Sequence, residues 1–417
     1  MNQPKDIKEG LIESNPWWNG NFTLEYKPRE IYVQLKTFLD ARQILALTGL
    51  RRVGKTTLLL KILEEYQKKA NAKNLVYFSF DDFRNIKVKD VVLAYTQLMG
   101  KDINSGRYLF LFDEIQKIKE WEEQVKRIYD QHPHIKIIVS GSESLFIRKQ
   151  VRESLAGRFF EFKVNPLTFR EFLEFKNIHV ENVLLHREDL LRAFTQYTLC
   201  SGFPELIDRE ADFIQKYIQE NIIERILYKD IPQIFPIRDT AVLGQIFKII
   251  CLNPGQILNI ESLANELGVS RQTVSAYLLY LEQSFLLVKL YNYSGNARKT
   301  ERKLKKYYPT ILVPELLEKR DMGKIFETEM VLQLGAEFFW RDTYKNEVDI
   351  IKVKDGNPQP IEIKFSRIET KPLQIFMRKY RLRNGIIISY DMEEVIPLAL
   401  GSVKVIPFYQ FLLENNK

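Results

Sequence analysis

The sequence predicts an α/β protein whose first part is a parallel sheet with helices packed against it. Four continuous apolar runs alternate with helical stretches, a pattern typical of strands buried on both faces of such a sheet. The runs are Ile44 to Leu47, Leu75 to Phe80, Tyr108 to Phe112 and Ile135 to Ser140. A glycine-containing loop follows the first run and an acidic pair follows the third. Because ligands bind at the carboxyl ends of parallel strands, both features are expected at one edge of the sheet.

The composition is that of a globular protein with an excess of positive charge. The 417 residues suffice for two or three domains, with 45% hydrophobic against 28% charged residues. No run reaches the roughly 18 apolar residues of a membrane span, and the start lacks the apolar core of a signal peptide. We therefore expect a cytoplasmic protein without a membrane partner. Two cysteines and four histidines support neither a disulfide framework nor a zinc site, and the net charge of +8 suits an anionic partner.

The segment from Gly49 to Thr57 fits the nucleotide-binding pattern G-x-x-x-x-G-K-[ST], with an apolar strand before it and a helix-forming run after it. Glycines let the backbone curl around an anion, and the positive end of the following helix attracts the same anion. Lys55 is expected to reach the outer phosphates of the nucleotide, and the Thr56 hydroxyl to hold Mg²⁺. The predicted nucleotide contacts in this loop are Gly49, Arg52, Gly54, Lys55, Thr56 and Thr57.

Asp113 and Glu114 directly follow the third apolar run. Asp113 is placed to bind Mg²⁺ at the nucleotide, usually through water, and Glu114 can orient and deprotonate the attacking water. The pair therefore predicts hydrolysis rather than passive binding, whereas an isolated Asp-Glu pair after a strand is more often a solvated turn. Ser140 or Ser142, at the end of the neighbouring strand, is expected to bond the γ-phosphate or the attacking water.

Arg158 precedes a fifth apolar strand, Phe159 to Val164. Its guanidinium is a candidate catalytic finger, a group that neutralises charge in the transition state. If Arg158 acts in trans, the protein must form a homo-oligomer around the nucleotide. The alternative is a surface arginine in a local ion pair.

A helical region follows the sheet, and its apolar spacing predicts helices that pack on one another as a lid. Turn signals at Ser201 to Glu205, Ile231-Pro232 and Phe235-Pro236 predict breaks within it. The predicted division of the chain is 1–165 for the core, 166–245 for the lid, 246–312 for a third segment and 313–417 for a fourth.

The third segment carries helix-turn-helix signals. Asn259 can cap a first helix, Gly268 makes the turn, and Ser270 can cap a second helix from Arg271 to Glu282. The start of the second helix and a basic hairpin after it, called a wing, are suited to contact DNA. The predicted DNA contacts are Arg271, Gln272, Ser275, Arg298, Lys299, Arg302, Lys303 and Lys305. Such winged helices also serve as protein interfaces or as lids within ATPases.

The fourth segment carries three carboxylates and a lysine: Glu327, Asp349, Glu362 and Lys364. A hairpin turn near Asp355-Gly356 would place Asp349 opposite Glu362, and strand alternation puts Lys364 on the face of Glu362. Two carboxylates beside a lysine can hold a divalent metal and orient a water against a phosphodiester. A structural ion pair is the alternative.

Together these motifs resemble the archaeal-type AAA+ ATPases that join a P-loop core to a winged helix and a PD-(D/E)XK nuclease-like C-terminal domain. The resemblance extends over nearly the whole chain, including Ser201 to Glu205, Glu347-Val348-Asp349 and Glu362-Ile363-Lys364. It implies an AAA+ fold, ATP with Mg²⁺ and, for some members, action on DNA. It also places Asp349, Glu362 and Lys364 in the nuclease motif, with Glu327 as a helical member.

The function predicted from the sequence is ATP hydrolysis coupled to binding and remodelling of DNA, with branched or Holliday-junction DNA as a target. The first alternative is a nucleotide-dependent signalling switch that acts on a protein partner. The second is a metal-dependent nuclease gated by ATP.

Overall fold

The structure is a computed structural model. It describes residues 6–20, 22–83, 85–142, 153–295, 304–313, 321–399 and 401–414. The chain divides into two compact units, Met1–Leu167 (unit 1) and Thr168–Lys417 (unit 2). The finer division into four segments stays a prediction.

Unit 1 is built on a five-stranded sheet in the order β2-β3-β4-β1-β5, and every strand runs parallel to its neighbours. The strands are β1 (Ile44–Thr48), β2 (Leu75–Ser79), β3 (Tyr108–Asp113), β4 (Ile135–Gly141) and β5 (Phe159–Lys163). All residues of β1 and β3 are buried, as their continuous apolar runs predict. The predicted α/β fold class is therefore confirmed.

The helices of unit 1 are α1 (Ile7–Ser14), α2 (Glu30–Lys36), α3 (Lys55–Gln67), α4 (Val88–Met99) and α5 (Trp121–Gln131). The N-terminal segment is fixed to the edge strand β2, because Trp17 and Trp18 are buried and both donate their indole N–H to the Leu75 carbonyl at 2.9 Å. Helix α3 begins directly after β1 and the glycine loop, which places its N-terminus at the carboxyl edge of the sheet.

Unit 2 begins with a helical region. Its α-helices are α6 (Phe169–Phe175), α7 (Arg187–Cys200), α8 (Ala211–Tyr217), α9 (Ile231–Ile234) and α10 (Thr240–Leu252). Two π-helical stretches, Ile218–Ile223 and Ile226–Asp230, lie between α8 and α9.

The expected break at Ile231-Pro232 is therefore wrong, since helical structure continues to Ile234 and stops before Phe235-Pro236. Pro232 lies in the first turn of α9. The wider π-helical turn before it accommodates a ring that would otherwise clash with the carbonyl one turn earlier.

The next part of unit 2 has the predicted pair of helices followed by antiparallel strands. The helices are α11 (Ile260–Glu266) and α12 (Arg271–Gln283). Asn259 caps α11, Ser270 caps α12, and Gly268 adopts a φ of 64° in the turn between them. The strands β6 (Gln256–Ile257), β7 (Leu287–Asn292) and β8 (Lys305–Pro309) pair antiparallel, with β8 between the other two.

The C-terminal part completes this sheet and adds another. Its helices are α13 (Met322–Gln333), α14 (Lys371–Tyr380) and α15 (Phe408–Glu414). Its strands are β9 (Phe338–Arg341), β10 (Glu347–Val348), β11 (Ile350–Lys354), β12 (Asn357–Lys364), β13 (Asn384–Ser389), β14 (Glu394–Leu398) and β15 (Gly401–Pro407). The two sheets have the orders β10-β9-β7-β8-β6 and β11-β12-β13-β15-β14. The first of them joins strands from both sides of the predicted boundary at residue 312.

In the described part of the chain, no helix combines the length and the apolar character that crossing a bilayer requires.

Candidate nucleotide site and acidic cluster

At two positions of the glycine loop, the backbone has a conformation that only glycine adopts readily. Gly49 has a φ of 146°, and a Cβ there would lie 2.1 Å from the Val164 carbonyl oxygen. Gly54 has a φ of 94° and directly precedes α3. A side chain at Gly49 would therefore clash with backbone, and one at Gly54 would be strained. The two angles fit the glycine positions of the motif, and the contact of the loop with an anion stays a prediction.

Lys55 lies back over this loop. Its ammonium donates to the carbonyl oxygens of Gly49 at 3.0 Å and Leu50 at 2.7 Å, and the residue is 5% exposed. These acceptors are neutral, so a phosphate with its full negative charges is a stronger partner for the ammonium. Arg52, Thr56 and Thr57 are more open than Lys55, as residues that meet a ligand from solvent must be.

Asp113 is the centre of a hydrogen-bonded group beside the loop. Its Oδ2 accepts from the Thr56 hydroxyl at 2.6 Å and the Tyr77 hydroxyl at 2.9 Å, and its Oδ1 accepts from the Ser140 hydroxyl. Burial and the charge of Asp113 raise the pKa of Tyr77, so the phenol stays protonated and donates. The oxygens of Thr56 and Asp113 fit Mg²⁺, which is commonly held by one or two carboxylates together with phosphate oxygens.

Glu114 lies next to this group in a left-handed conformation, with a φ of 54°. Its carboxylate accepts from the Gln116 side-chain amide at 2.7 Å and the Ser142 hydroxyl at 3.3 Å. Ser140 is fully buried and donates to Asp113. Both predicted serines therefore orient the acidic pair, and their direct contact with phosphate or water stays a prediction.

Arg158 lies at the amino ends of the strands, opposite the carboxyl ends where the glycine loop is. Its carbonyl accepts from the Ile44 N–H, at the start of β1, whereas the loop begins where β1 ends. Five residues of strand separate the two ends, or about 17 Å at roughly 3.3 Å per residue. The Arg158 guanidinium pairs with Asp130, with an Nε to Oδ1 distance of 3.0 Å. A finger role for Arg158 is thus open only in trans.

Sequence reasoning missed two residues that support the nucleotide site. Arg29 is buried and donates to the carbonyls of Val53 in the loop and Asn165 after β5, each at 2.8 Å. Tyr77 is the second, through its bond to Asp113. The signal for Tyr77 is its position in the strand next to the Asp113 strand. Arg29 had no local signal, because its acceptors are backbone atoms distant in sequence.

The carboxylates of unit 2 meet as predicted from the hairpin. Asp355 and Gly356 both have positive φ in a two-residue turn, and the register pairs Ile350 with Ile361. Asp349 therefore lies opposite Glu362: the Asp349 N–H points to Glu362 at 3.4 Å. Lys364 donates to Glu362 at 2.7 Å. Burial, and then the charge of Asp349, raise the pKa of Glu362 to about 8.

The structure adds a second lysine that the sequence did not indicate. Lys306, on β8, lies 2.6 Å from Glu347 and 3.6 Å from Glu327, and its side chain is only 4% exposed. The Tyr308 hydroxyl donates to Glu327 at 2.7 Å. Burial by itself lowers the pKa of Lys306, but the charges of Glu327, Asp349 and Glu347 outweigh it and the pKa lies above its usual value. Lys306 is therefore an ammonium inside the cluster.

This arrangement does not fit the predicted metal site. Within the described ranges, no group of three or more His, Cys, Asp or Glu side chains is arranged to hold a metal ion. Glu327 points to Lys306 and Tyr308, and Glu362 to Lys364. The metal expected at Asp349 and Glu362 with Glu327 and Lys364 stays a prediction, and the ammonium groups of Lys306 and Lys364 beside these carboxylates count against it.

The structure places some of the predicted DNA contacts. Arg271, Gln272 and Ser275 are exposed near the start of α12, while Val274 and Leu278 on its other face are buried. Lys305 is partly exposed, with its ammonium 5.5 Å from the centre of the Tyr291 ring. The remaining predicted contacts, Arg298, Lys299, Arg302 and Lys303, lie outside the described residues.

Three parts of the chain match known families. Residues 41–173 match a family described as an AAA domain. Residues 191–310 and 323–411 match two families described only as domains of unknown function, DUF8612 and DUF4143. The first match and the loop geometry support a P-loop ATPase domain in unit 1.

The chain is also similar to uncharacterized proteins over most of its length. Two are from Methanocaldococcus jannaschii. The first is 27% identical, and the match covers 90% of this chain and 85% of the relative. The second is 25% identical, and the match covers 94% of this chain and 93% of the relative. A protein of Haemophilus influenzae is 28% identical over 71% of this chain and 74% of its own. The matching proteins thus include both archaeal and bacterial ones.

Among solved structures, Cdc6p from Pyrobaculum aerophilum matches with a TM-score of 0.31 and 13% identity, over 75% of this chain and 97% of that one. A DNA polymerase III gamma subunit-related protein from Thermotoga maritima matches with a TM-score of 0.28 and 14% identity, over 61% and 99%. Both scores are too low to indicate a shared overall fold.

Proposed function

We propose that unit 1 hydrolyses ATP with Mg²⁺ and that the protein uses this turnover to act on DNA. The observation that carries the ATPase part is the contact between the two motifs. Thr56 of the loop donates to Asp113 at 2.6 Å, so the residues expected to hold phosphate and metal meet at one edge of the sheet.

The residues of the site divide the work of phosphoryl transfer. Lys55 exchanges its two backbone carbonyl partners for phosphate oxygens. Thr56 and Asp113 hold Mg²⁺, which when bound neutralises charge on the phosphates. Glu114, fixed by Gln116 and Ser142, accepts the proton of the attacking water.

Arg158 completes the site from a second copy of the chain. Its position at the opposite sheet edge supports a trans role, because it is about one strand length from its own loop. The Asp130 pair must open for this role, and the pair is solvent-exposed enough for the opening to cost little. A homo-oligomer is part of the proposal for this reason.

DNA binding is proposed for the start of α12 and for Lys305. The support is geometric: the helices α11 and α12 are followed by the antiparallel pair β7 and β8, which is the element order expected of a winged helix. Arg271, Gln272 and Ser275 are exposed where such a helix would meet DNA. Replacing Arg271 with alanine should weaken DNA binding and lower its salt slope by about one. Lys216→Ala, an exposed lysine on α8, is the matched control.

The deciding experiment is ATP turnover of the full chain without DNA, with plain duplex and with a four-way junction, with Lys55→Ala as the blank. Stimulation of several fold that is largest with the junction supports the DNA-remodelling proposal. Equal, slow turnover in all three samples contradicts it and favours the signalling switch with a protein partner. Wild-type turnover in Lys55→Ala contradicts the ATPase assignment itself.

A further inference from the structure

Lys306 is built into the middle of a sheet. Its strand, β8, is hydrogen-bonded on one side to β7 and on the other to β6, with Lys306 facing Leu290 and Ile257. Side chains alternate along the strand, so Lys305 is partly exposed while Lys306 points inward. Removing the Lys306 backbone from the cluster would therefore break hydrogen bonds on both edges of β8.

The ammonium of Lys306 meets carboxylates that come from other elements. Glu347 is on β10 and Glu327 is on α13, at 2.6 Å and 3.6 Å. Asp349 is close enough for its charge to act on Lys306. On β12, Lys364 binds Glu362. Arg341, on β9, lies 3.3 Å from Glu347. Four carboxylates are thus opposed by three cations within one cluster.

We propose that lysine ammonium groups take the place of a divalent metal in this cluster, Lys306 beside Glu327 and Glu347 and Lys364 beside Glu362. Asp349 and Glu362 then do not bind such a metal, and unit 2 does not cut DNA by a metal-dependent route. A second cation would stand close to a fixed, buried ammonium, where the low dielectric strengthens the repulsion. Displacing that ammonium would leave Glu327 and Glu347 without it in a poorly hydrated site, which is strongly unfavourable.

This inference is independent of the proposed ATPase, and it rules against the alternative of an ATP-gated nuclease. It also assigns the cluster a different task. Lys306 belongs to the helix and hairpin part of unit 2, whereas Glu327 and Glu347 belong to the C-terminal part. The ion pairs therefore connect the helix and hairpin part of unit 2 to its C-terminal part.

The test measures how much Mn²⁺ the full chain binds without nucleotide. The signal of the free ion in electron paramagnetic resonance gives the amount that is not bound. We expect wild type and Asp349→Asn to bind the same amount. Lys306→Met should gain one further Mn²⁺ per chain, and the double variant Lys306→Met, Asp349→Asn should lose it. Lys305→Met removes the neighbouring charge on the other face of β8 and should bind as much Mn²⁺ as wild type.

A wild-type protein that loses one Mn²⁺ on the Asp349→Asn change would overturn the proposal. A folded Lys306→Met protein that gains none would overturn it as well. If Lys306→Met does not fold, as judged by circular dichroism, the comparison of wild type with Asp349→Asn still decides it in either direction. ATP turnover of the same preparations shows separately whether the ATPase proposal holds.

Discussion

Each unit buries a lysine in its candidate site, and the two lysines donate to groups of different kinds. Lys55 in unit 1 donates to the neutral carbonyls of Gly49 and Leu50 on a loop that faces the open edge of the sheet. Lys306 in unit 2 pairs with the charged side chains of Glu347 and Glu327 from a strand held on both sides.

The difference teaches how a lysine becomes a binding group or a structural one. An ammonium that donates to backbone carbonyls gains when a phosphate arrives, because a charge-assisted bond replaces a weaker one. An ammonium that already neutralises buried carboxylates gains nothing from a new anion, and its removal exposes uncompensated charge. Residue type alone therefore does not distinguish the two roles.

The largest effect is expected at Lys55. Lys55→Ala removes charge stabilisation of the transferred phosphoryl group, and loss of one such contact lowers turnover on the order of 10²- to 10³-fold. Steady-state ATP hydrolysis measures it. The control is Lys61→Ala on the same helix, where the lysine pairs with Glu64 instead. Equal turnover in Lys55→Ala and Lys61→Ala would break the comparison, since Lys55 would then not be a binding group.

The next effect is on stability at Lys306. Lys306→Met keeps the apolar stem but removes its charge from Glu327 and Glu347, whose side chains are 25% and 27% exposed. Because Tyr308 and Arg341 still contact these carboxylates, the cost should be about 1 to 3 kcal/mol. Denaturant unfolding measures the loss. Lys305→Met should change the free energy of unfolding by less than about 0.5 kcal/mol, as surface substitutions usually do. An equally small loss for both variants would show that Lys306 is not a structural cation.

A third prediction uses Glu329, a buried carboxylate of α13 whose pKa is raised to about 8 by burial. Its usual pKa is 4.5, so the folded state holds the proton more tightly than the unfolded state. The stability from this group is complete below the usual pKa and is lost as pH rises through about 8, at up to about 1.4 kcal/mol per pH unit. Glu329→Gln should flatten this dependence.

The measurement is denaturant unfolding of wild type and Glu329→Gln between about pH 5 and pH 9. Glu174→Gln, an exposed position on α6, serves as the control and should follow wild type. Parallel curves for wild type and Glu329→Gln would mean that burial does not raise the pKa of the Glu329 carboxyl. A flatter curve for Glu329→Gln would sharpen the comparison, because it would show how burial alone changes the pKa of a carboxyl.

The smallest effect is expected at Tyr77. Tyr77→Phe removes one hydrogen bond to Asp113, worth about 1 kcal/mol, so turnover should fall by a few fold. Because the bond orients the carboxylate that is proposed to hold Mg²⁺, the Mg²⁺ concentration for half-maximal turnover should rise as well. Tyr95→Phe is the control, since its hydroxyl donates to the Lys73 carbonyl. An unchanged Mg²⁺ dependence would mean that Tyr77 contributes to the site only through packing.

Much of the candidate site was predictable because its signals are local. The loop needs glycine at Gly49 and Gly54 for its backbone angles, and the strand and helix around it show in apolar spacing. The pairing of Asp349 with Glu362 was predictable because a two-residue turn at Asp355-Gly356 determines the register of both strands. The roles that these residues have in chemistry stay predictions.

The sequence by itself determined the parallel sheet, the glycine loop, the acidic pair after β3 and the capped helices α11 and α12. Each of these depends on neighbouring residues, whose geometry the backbone imposes directly. Only the tertiary structure decided that Arg29 holds the loop, that Arg158 lies at the far edge, and that Lys306 enters the acidic cluster. Arg29 reaches carbonyls that are distant in sequence. The Lys306 contacts depend on which strands become neighbours, here the parallel pairing of β7 with β9, and no short stretch of sequence encodes that choice.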